Sequence, residues 1–229
     1  MFAQINELIK VIDDAVWGLP LICLIMVTGI LLTVRLGGVQ IRHLGKAFKF
    51  MFQDEEDGHG EVTSFGALCT ALSATIGTGN IAGVATAIAA GGPGALFWMV
   101  VAAFFGMATK YSEGLLSIKY RTIDQDGHVL GGPFYYIENG MGKKWKWLAK
   151  IFAFFGAGVG LFGIGTFTQV NSIASAVKNF FDPDMAHTVT VLGNDYSIAT
   201  VIAGILLTVF VGLVVIGGIK RISKVSEVV

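Results

Sequence analysis

The sequence predicts an all-α membrane protein, a polytopic bundle of helices that cross a lipid bilayer, and three observations support this. The chain of 229 residues is 54% hydrophobic and only 14% charged, whereas a soluble domain carries about a quarter charged residues. Its mean hydropathy is +0.70. The charged residues are also clustered, so that long uncharged stretches remain at 15–34, 62–109, 151–177 and 196–219.

These uncharged stretches set the number of membrane spans. A helix needs about 20 apolar residues to cross a bilayer core of about 30 Å. The stretch 62–109 is long enough for two helices, and Gly91-Gly92-Pro93-Gly94 supplies the turn between them. We therefore predict one transmembrane domain over 1–229. Its five spans lie close to 15–35, 63–90, 95–118, 150–177 and 196–219.

The distribution of basic residues predicts the orientation. Most of the 16 Lys and Arg residues follow the first, third and fifth predicted spans, in the segments 35–61, 119–150 and 220–224. Because Lys and Arg near span ends favour the cytoplasm, these segments are predicted inside. We expect a multi-pass protein of the cell membrane, of the bacterial inner-membrane type, with the N-terminus outside and the C-terminus inside.

Two short segments between the first two spans have their own character. Basic and apolar residues alternate at near-helical spacing over 41–52, which predicts a helix lying on the cytoplasmic membrane surface. The acidic run 54–57 is predicted to be a solvated loop. Acidic and basic residues balance at 16 each, so nucleic acid is not an expected partner. The apolar spans make the lipid bilayer an expected partner.

The second span is predicted to be broken near 75–80. Fully helical, the predicted span 63–90 would be longer than the bilayer core. Gly77 and Gly79 flank Thr78 in its middle, and each glycine weakens a helix interior by about 1 kcal/mol relative to alanine. Thr75 and Asn80 add polar side chains at mid-membrane, where such groups are costly and are usually functional.

A broken span offers two kinds of ligand. The backbone carbonyls of Thr75 and Ile76 are predicted to coordinate sodium, and the N–H groups that start the second half carry the positive end of a helix dipole. The alternative is that the glycines only permit close helix packing. The run 77–82 also fits a dinucleotide fingerprint. That interpretation fails because no acidic residue follows before Glu113 and membrane spans surround the run.

Five blocks of sequence resemble the signature of the alanine or glycine:cation symporter family, and they lie at 74–88, 91–99, 106–113, 131–138 and 169–174. The resemblance implies a sodium-driven importer of alanine or glycine, driven by protons in some members. It also implies the five-plus-five inverted helix repeat shared with leucine-type transporters.

By this resemblance, the substrate site is formed by residues of the broken span and of the fourth span: Thr75, Gly77, Thr78, Gly79, Asn80, Gln169 and Asn171. The amides of Gln169 and Asn171 have a second interpretation, because they would also serve to bond neighbouring helices. No cofactor is expected beyond sodium as the coupling ion.

Members of the family are about twice as long as this chain, so the second inverted repeat is expected to be absent from it. We therefore expect an incomplete half that does not transport alone, with a C-terminal half as its partner. The alternative is a non-transporting membrane scaffold or subunit derived from such a transporter. An enzyme is not expected, because no catalytic or metal-binding cluster of residues is evident.

Overall fold

The computed structural model describes residues 2–53, 61–163, 165–191 and 193–229, and most of these residues are helical. The acidic run 54–57 lies outside the described residues. The helices are, in chain order, α1 (Phe2–Val16), α2 (Leu19–Arg35), α3 (Val39–Arg42), α4 (Leu44–Met51), α5 (Ser64–Thr75), α6 (Val84–Gly91), α7 (Pro93–Lys119), α8 (Pro133–Met141), α9 (Lys146–Leu161), α10 (Thr166–Phe181), α11 (Ile198–Val215) and α12 (Gly218–Val228).

Several of these helices are suited to crossing a membrane. Within the described residues, four helical stretches are long and apolar enough: Gln4–Arg35, Pro93–Lys119, Lys143–Phe181 and Ile198–Val215. The pair formed by α5 and the helical residues Gly79–Gly91 makes a fifth if the two halves are one span. The chain is therefore a multi-pass membrane protein.

The helix is interrupted within the fourth predicted span. The sequence predicts one span over 150–177, but the helix ends at Leu161 as α9 and resumes at Thr166 as α10. Gly163 has a φ of +60° and Gly165 a φ of +94°. These backbone conformations are readily adopted only by glycine and cannot continue a right-handed helix. Gly163 and Gly165, which the sequence shows only as part of an apolar run, therefore interrupt the helix.

Two small β-hairpins lie in connecting segments, and the sequence does not predict them. One pairs β1 (Thr122–Ile123) with β2 (Val129–Leu130), and the other pairs β3 (Thr188–Val191) with β4 (Asn194–Ser197). The first turns at Gly127, which has a φ of +82° and donates its N–H to the carbonyl of Asp124 at 3.0 Å. Strands this short carry too few residues for a period-two pattern to stand out.

The helices expose an unusually large apolar surface. The accessible area is 17633 Å², whereas a compact soluble protein of 24.3 kDa would expose about 10,000 Å². Large apolar side chains on α2, α7 and α11 are exposed along their length. Such a surface needs an apolar environment, which a bilayer or further protein supplies.

Close helix contacts depend on small residues. A Cβ added at Gly29 of α2 would lie 2.9 Å from the Cβ of Phe105 on α7. At Gly66 of α5, an added Cβ would meet Ser223 and Glu227 of α12 even more closely. Small residues let helix backbones approach in membrane proteins. These contacts fix α2 against α7, and the start of α5 against α12.

The segments that the sequence predicts to be cytoplasmic meet at one end of the bundle. Glu61, just before α5, accepts a hydrogen bond from Nδ1 of His128 at 3.0 Å when that nitrogen carries the proton. His128 belongs to the loop between α7 and α8, and α12 packs on the first turn of α5. Helices α3 and α4 cover most of the segment 41–52, where the sequence predicts a helix, and α3 packs against α7. The place of this segment on the membrane surface stays a prediction.

Candidate functional site

The break in the second span is the centre of the candidate site. The α-helix α5 ends at Thr75, where Ile76 turns to an extended conformation with φ −79° and ψ 120°. The chain resumes as a π-helical turn over Gly79–Gly83 that leads into α6. The two halves are bent by 61°. Wide π-helical turns are often found at functional sites.

Gly77 and Asn80 hold the break together. The N–H of Gly77 donates to Oδ1 of Asn80 at 3.0 Å, and the N–H of Asn80 donates to the carbonyl of Gly77 at 3.0 Å. The two bonds close a ring between the end of the unwound segment and the start of the next helical turn. The side chain of Asn80 therefore supports the backbone in this conformation, where it caps an N–H that the helix leaves unpaired.

The end of α5 leaves backbone oxygens unused. No backbone N–H in the described part of the chain donates to the carbonyls of Thr75 and Ile76 across the break. The hydroxyl of Thr75 donates to the carbonyl of Ala71 at 2.7 Å, which leaves its oxygen lone pairs able to accept. Neutral oxygens of this kind suit a hard cation.

Gln169 of α10 reaches the break from another helix. A Cβ added at Gly77 would lie 2.6 Å from Nε2 of Gln169 and 3.4 Å from its Cδ. The amide therefore rests directly against the backbone of Gly77, in the space that any other residue would fill. This contact joins two distant parts of the chain, and it brings together two of the predicted site residues.

The other predicted site residues are placed differently. Asn171 is exposed on α10, and two positions along a helix turn a side chain by about 200° relative to Gln169. Thr78 is half-buried at the break. Gly79 is exposed, and an added Cβ there would meet no heavy atom within 4 Å. Open space therefore lies beside the start of the second half-helix.

The start of α10 is a feature that sequence reasoning missed. Because the chain turns at Gly163 and Gly165, a second helix N-terminus begins at Thr166, one turn before Gln169. The contact between Gln169 and Gly77 brings this first turn near the break. The sequence indicates this helix start only through the many glycines over 156–165. The spans were predicted from the absence of charged residues, and that criterion does not consider glycines.

A charged cluster lies in the C-terminal part of α7. Nζ of Lys110 donates to a carboxylate oxygen of Glu113 at 2.8 Å, three residues along the helix. Tyr136 of α8 lies close by. Its burial raises the pKa of its hydroxyl, and the negative charge of Glu113 raises that pKa further, whereas the positive charge of Lys110 lowers it. Lys110 and Glu113 therefore pair locally on one helix, and the contact of Tyr136 links α7 to α8.

A buried cluster lies beyond the end of α10. Oγ of Ser197 donates to Asp182 at 2.6 Å, and the N–H of Ala186 donates to the other carboxylate oxygen at 2.7 Å. Both side chains are buried. The hydrogen bond from Ser197 lowers the pKa of the Asp182 carboxyl. The cluster fastens the β3–β4 hairpin to the end of α10.

Comparison with known proteins identifies the family. A model of the sodium:alanine symporter family matches residues 2–229. The chain belongs to the sodium:alanine symporter family. The predicted resemblance is confirmed, and the members of this symporter family are transporters rather than enzymes.

Several curated proteins of the symporter family are similar along almost the whole chain. An uncharacterized transporter of Haemophilus influenzae is 50% identical, covering 98% of this chain and 46% of that protein. The sodium/alanine symporter AgcS of Methanococcus maripaludis is 46% identical, with coverages of 97% and 47%. The probable sodium/glutamine symporter GlnT of Bacillus subtilis is 32% identical, with coverages of 97% and 43%. The chain spans less than half the length of these relatives.

Proposed function

We propose that this chain forms the substrate-binding part of a sodium-coupled symporter for a small neutral amino acid such as alanine or glycine. The observation that carries the proposal is the contact of Gln169 with the unwound backbone at Gly77. An amide, free carbonyls and a helix N-terminus then lie within one region of the membrane domain. The helix N-terminus suits the carboxylate of an amino acid, the free carbonyls suit the coupling cation, and the amide can bond the substrate.

The carboxylate of the substrate is proposed to lie at the start of the second half-helix. The backbone N–H of Gly79 lies at the positive end of the helix dipole, and such ends favour anionic groups. The open space beside Gly79 gives the carboxylate room. Thr78 adds a hydroxyl at the same turn. Gln169 is proposed to bond the substrate from the facing helix, because its amide can both donate and accept.

Sodium is proposed to bind at the other half of the break. The carbonyls of Thr75 and Ile76 are free of backbone partners across the break, and the Thr75 hydroxyl oxygen adds a further acceptor. Sodium beside the substrate carboxylate would let each stabilise the other by opposite charge. This arrangement would couple ion and amino acid through one local site.

The remaining wall of the site is proposed to come from a C-terminal half. Thr75, Gly79, Asn80 and Gln169 are exposed in this structure, and unpaired polar groups at mid-membrane are tolerated only when they are buried in protein or line a cavity. The relatives are more than twice as long as the matched region. We infer the five-plus-five inverted repeat of leucine-type transporters, in which a second repeat faces the first across the site.

The proposed orientation keeps the basic segments in the cytoplasm of a cell with a bacterial-type inner membrane. The contact of Glu61 with His128 and the packing of α12 on α5 hold these segments at one end of the bundle. That grouping supports the N-out, C-in arrangement, because the positive-inside rule then applies to one face.

The experiment is uptake of radiolabelled L-alanine into proteoliposomes that contain the intact protein, meaning this chain together with the proposed C-terminal half. We expect saturable uptake under an inward sodium gradient and little uptake when potassium replaces sodium. Gln169→Ala should abolish most of this uptake, whereas Ser175→Ala, at an exposed position six residues farther along α10, should retain it. Equal uptake by the two variants would contradict the role of Gln169. Absence of uptake by the parent protein would favour a non-transporting scaffold.

A further inference from the structure

A groove lies between the surface helices and the inner part of α7, away from the break. It has a volume of about 350 Å³. Most of its surface is apolar, and it is lined by Val39, Gln40, Lys46, Ala47, Phe50 and Tyr111 among others. The groove lies beside α7, one of the helices suited to crossing a membrane, so a lipid can enter it from the bilayer.

Polar groups are concentrated at one part of this groove. His43 and Lys46 line it on the side of the surface helices. Nε2 of Gln40 donates to Oγ1 of Thr33 at 2.9 Å, which fixes the amide. Its Oε1 is buried, and among the described residues it has no hydrogen-bond partner. A ligand with a negative charge would complement Lys46 and accept a hydrogen bond from His43.

The surrounding charge favours an anion. The segment 36–53 contains Arg42, His43, Lys46 and Lys49 and no acidic residue. Basic residues on a surface helix are attracted to anionic lipid headgroups. The apolar part of the groove continues along α7 at Met107 and Tyr111, in the direction that an acyl chain takes from the interface into the bilayer.

We propose that this groove binds one anionic phospholipid, such as phosphatidylglycerol. The phosphate lies between Lys46 and His43. One acyl chain runs along Ala47 and Met107. The site is separate from the proposed transport site, and it depends only on the chain being a membrane protein.

The test measures lipid retained by the intact protein in detergent, by native mass spectrometry during titration with dioleoyl-phosphatidylglycerol. Lys46→Gln should weaken binding about tenfold, because a charge-assisted contact is lost. Lys49→Gln is the matched control, since Lys49 carries the same charge on the same helix but does not line the groove. It should change binding by less than about twofold.

Further variants and ligands in the same titration distinguish a defined lipid site from non-specific electrostatic attraction. Ala47→Trp should fill the groove and prevent binding without a change of charge, whereas Phe48→Trp, outside the lining, should not. Dioleoyl-phosphatidylcholine and free glycerol phosphate should both bind far more weakly than the anionic lipid. Equal losses for Lys46→Gln and Lys49→Gln, or equal binding of the two lipids, would overturn the proposal. So would competition by free glycerol phosphate at the lipid's own concentration.

Discussion

Replacing Gly77 with alanine tests the geometry of the candidate site. The added Cβ would lie 2.6 Å from Nε2 of Gln169, whereas non-bonded heavy atoms rest at about 3.5 Å or more. The amide must therefore move by about 1 Å. Gly77 does not have a positive φ, so its backbone accepts alanine, and only the facing side chain must give way.

We expect Gly77→Ala to weaken alanine binding more than it lowers the free energy of unfolding. Forcing a side chain off its rotamer costs about 0.5–1.5 kcal/mol, and the loss of chain entropy on replacing glycine offsets about 0.4–1 kcal/mol. The free energy of unfolding should thus change by less than about 1 kcal/mol. A displaced hydrogen bond to a charged ligand costs about 1.5–3 kcal/mol, so we expect alanine binding to weaken about tenfold or more.

The assay is equilibrium binding of labelled L-alanine in sodium, with Gly83→Ala as the matched control. A Cβ at Gly83 of the same segment would meet no heavy atom within 4 Å. A double-mutant cycle with Gln169→Ala should show that the two changes are not additive, because they act on one contact. If Gly77→Ala binds alanine as tightly as Gly83→Ala, the inferred role of the Gly77–Gln169 contact is wrong.

Three further predictions concern the scaffold. Gly66→Ala should destabilise the protein by about 1–3 kcal/mol through overpacking against α12, whereas Gly114→Ala, which faces open space, should not, as thermal unfolding would show. Thr63 caps α5 by accepting the N–H of Gly66 at 3.0 Å, so Thr63→Ala should cost about 0.5–2 kcal/mol. Because the folded pKa of Asp182 is lowered, its stabilising effect is present above the ordinary carboxyl pKa and lost as pH falls through the folded value. Unfolding measured against pH should show that Ser197→Ala reduces this acid dependence, and an unchanged profile would contradict it.

The break in the second span is visible in the sequence because its causes are local. Two glycines around Thr78 and a polar Asn80 within an overlong apolar stretch predict an interruption, and the structure has one between Thr75 and Gly79. Helix propensity and span length act over a few residues. They can therefore be evaluated without knowing what packs nearby.

The division of the fourth span is not visible in the same way. Gly163 and Gly165 adopt left-handed conformations, but Gly156, Gly158 and Gly160 lie within the continuous helix α9. All five look alike in the sequence. Which glycine turns the chain depends on neighbouring helices, because tertiary packing overrides propensity.

The candidate site was predictable only in part for the same reason. The backbone groups at Thr75 and Ile76 follow from the break itself. The approach of Gln169 to Gly77 is a contact between distant parts of the chain, and only the family resemblance indicated it. The role of Asn171 in the site stays a prediction, since its position on α10 differs from that of Gln169 by about 200° around the helix.

Reciprocal binding of sodium and alanine to the intact protein in nanodiscs tests the central claim most directly. Two ligands that share one site must each raise the affinity of the other by the same factor. We predict that sodium tightens alanine binding relative to potassium, and that saturating alanine tightens sodium binding by an equal factor. Equal alanine affinity in sodium and potassium would contradict a sodium-coupled amino acid site at the break.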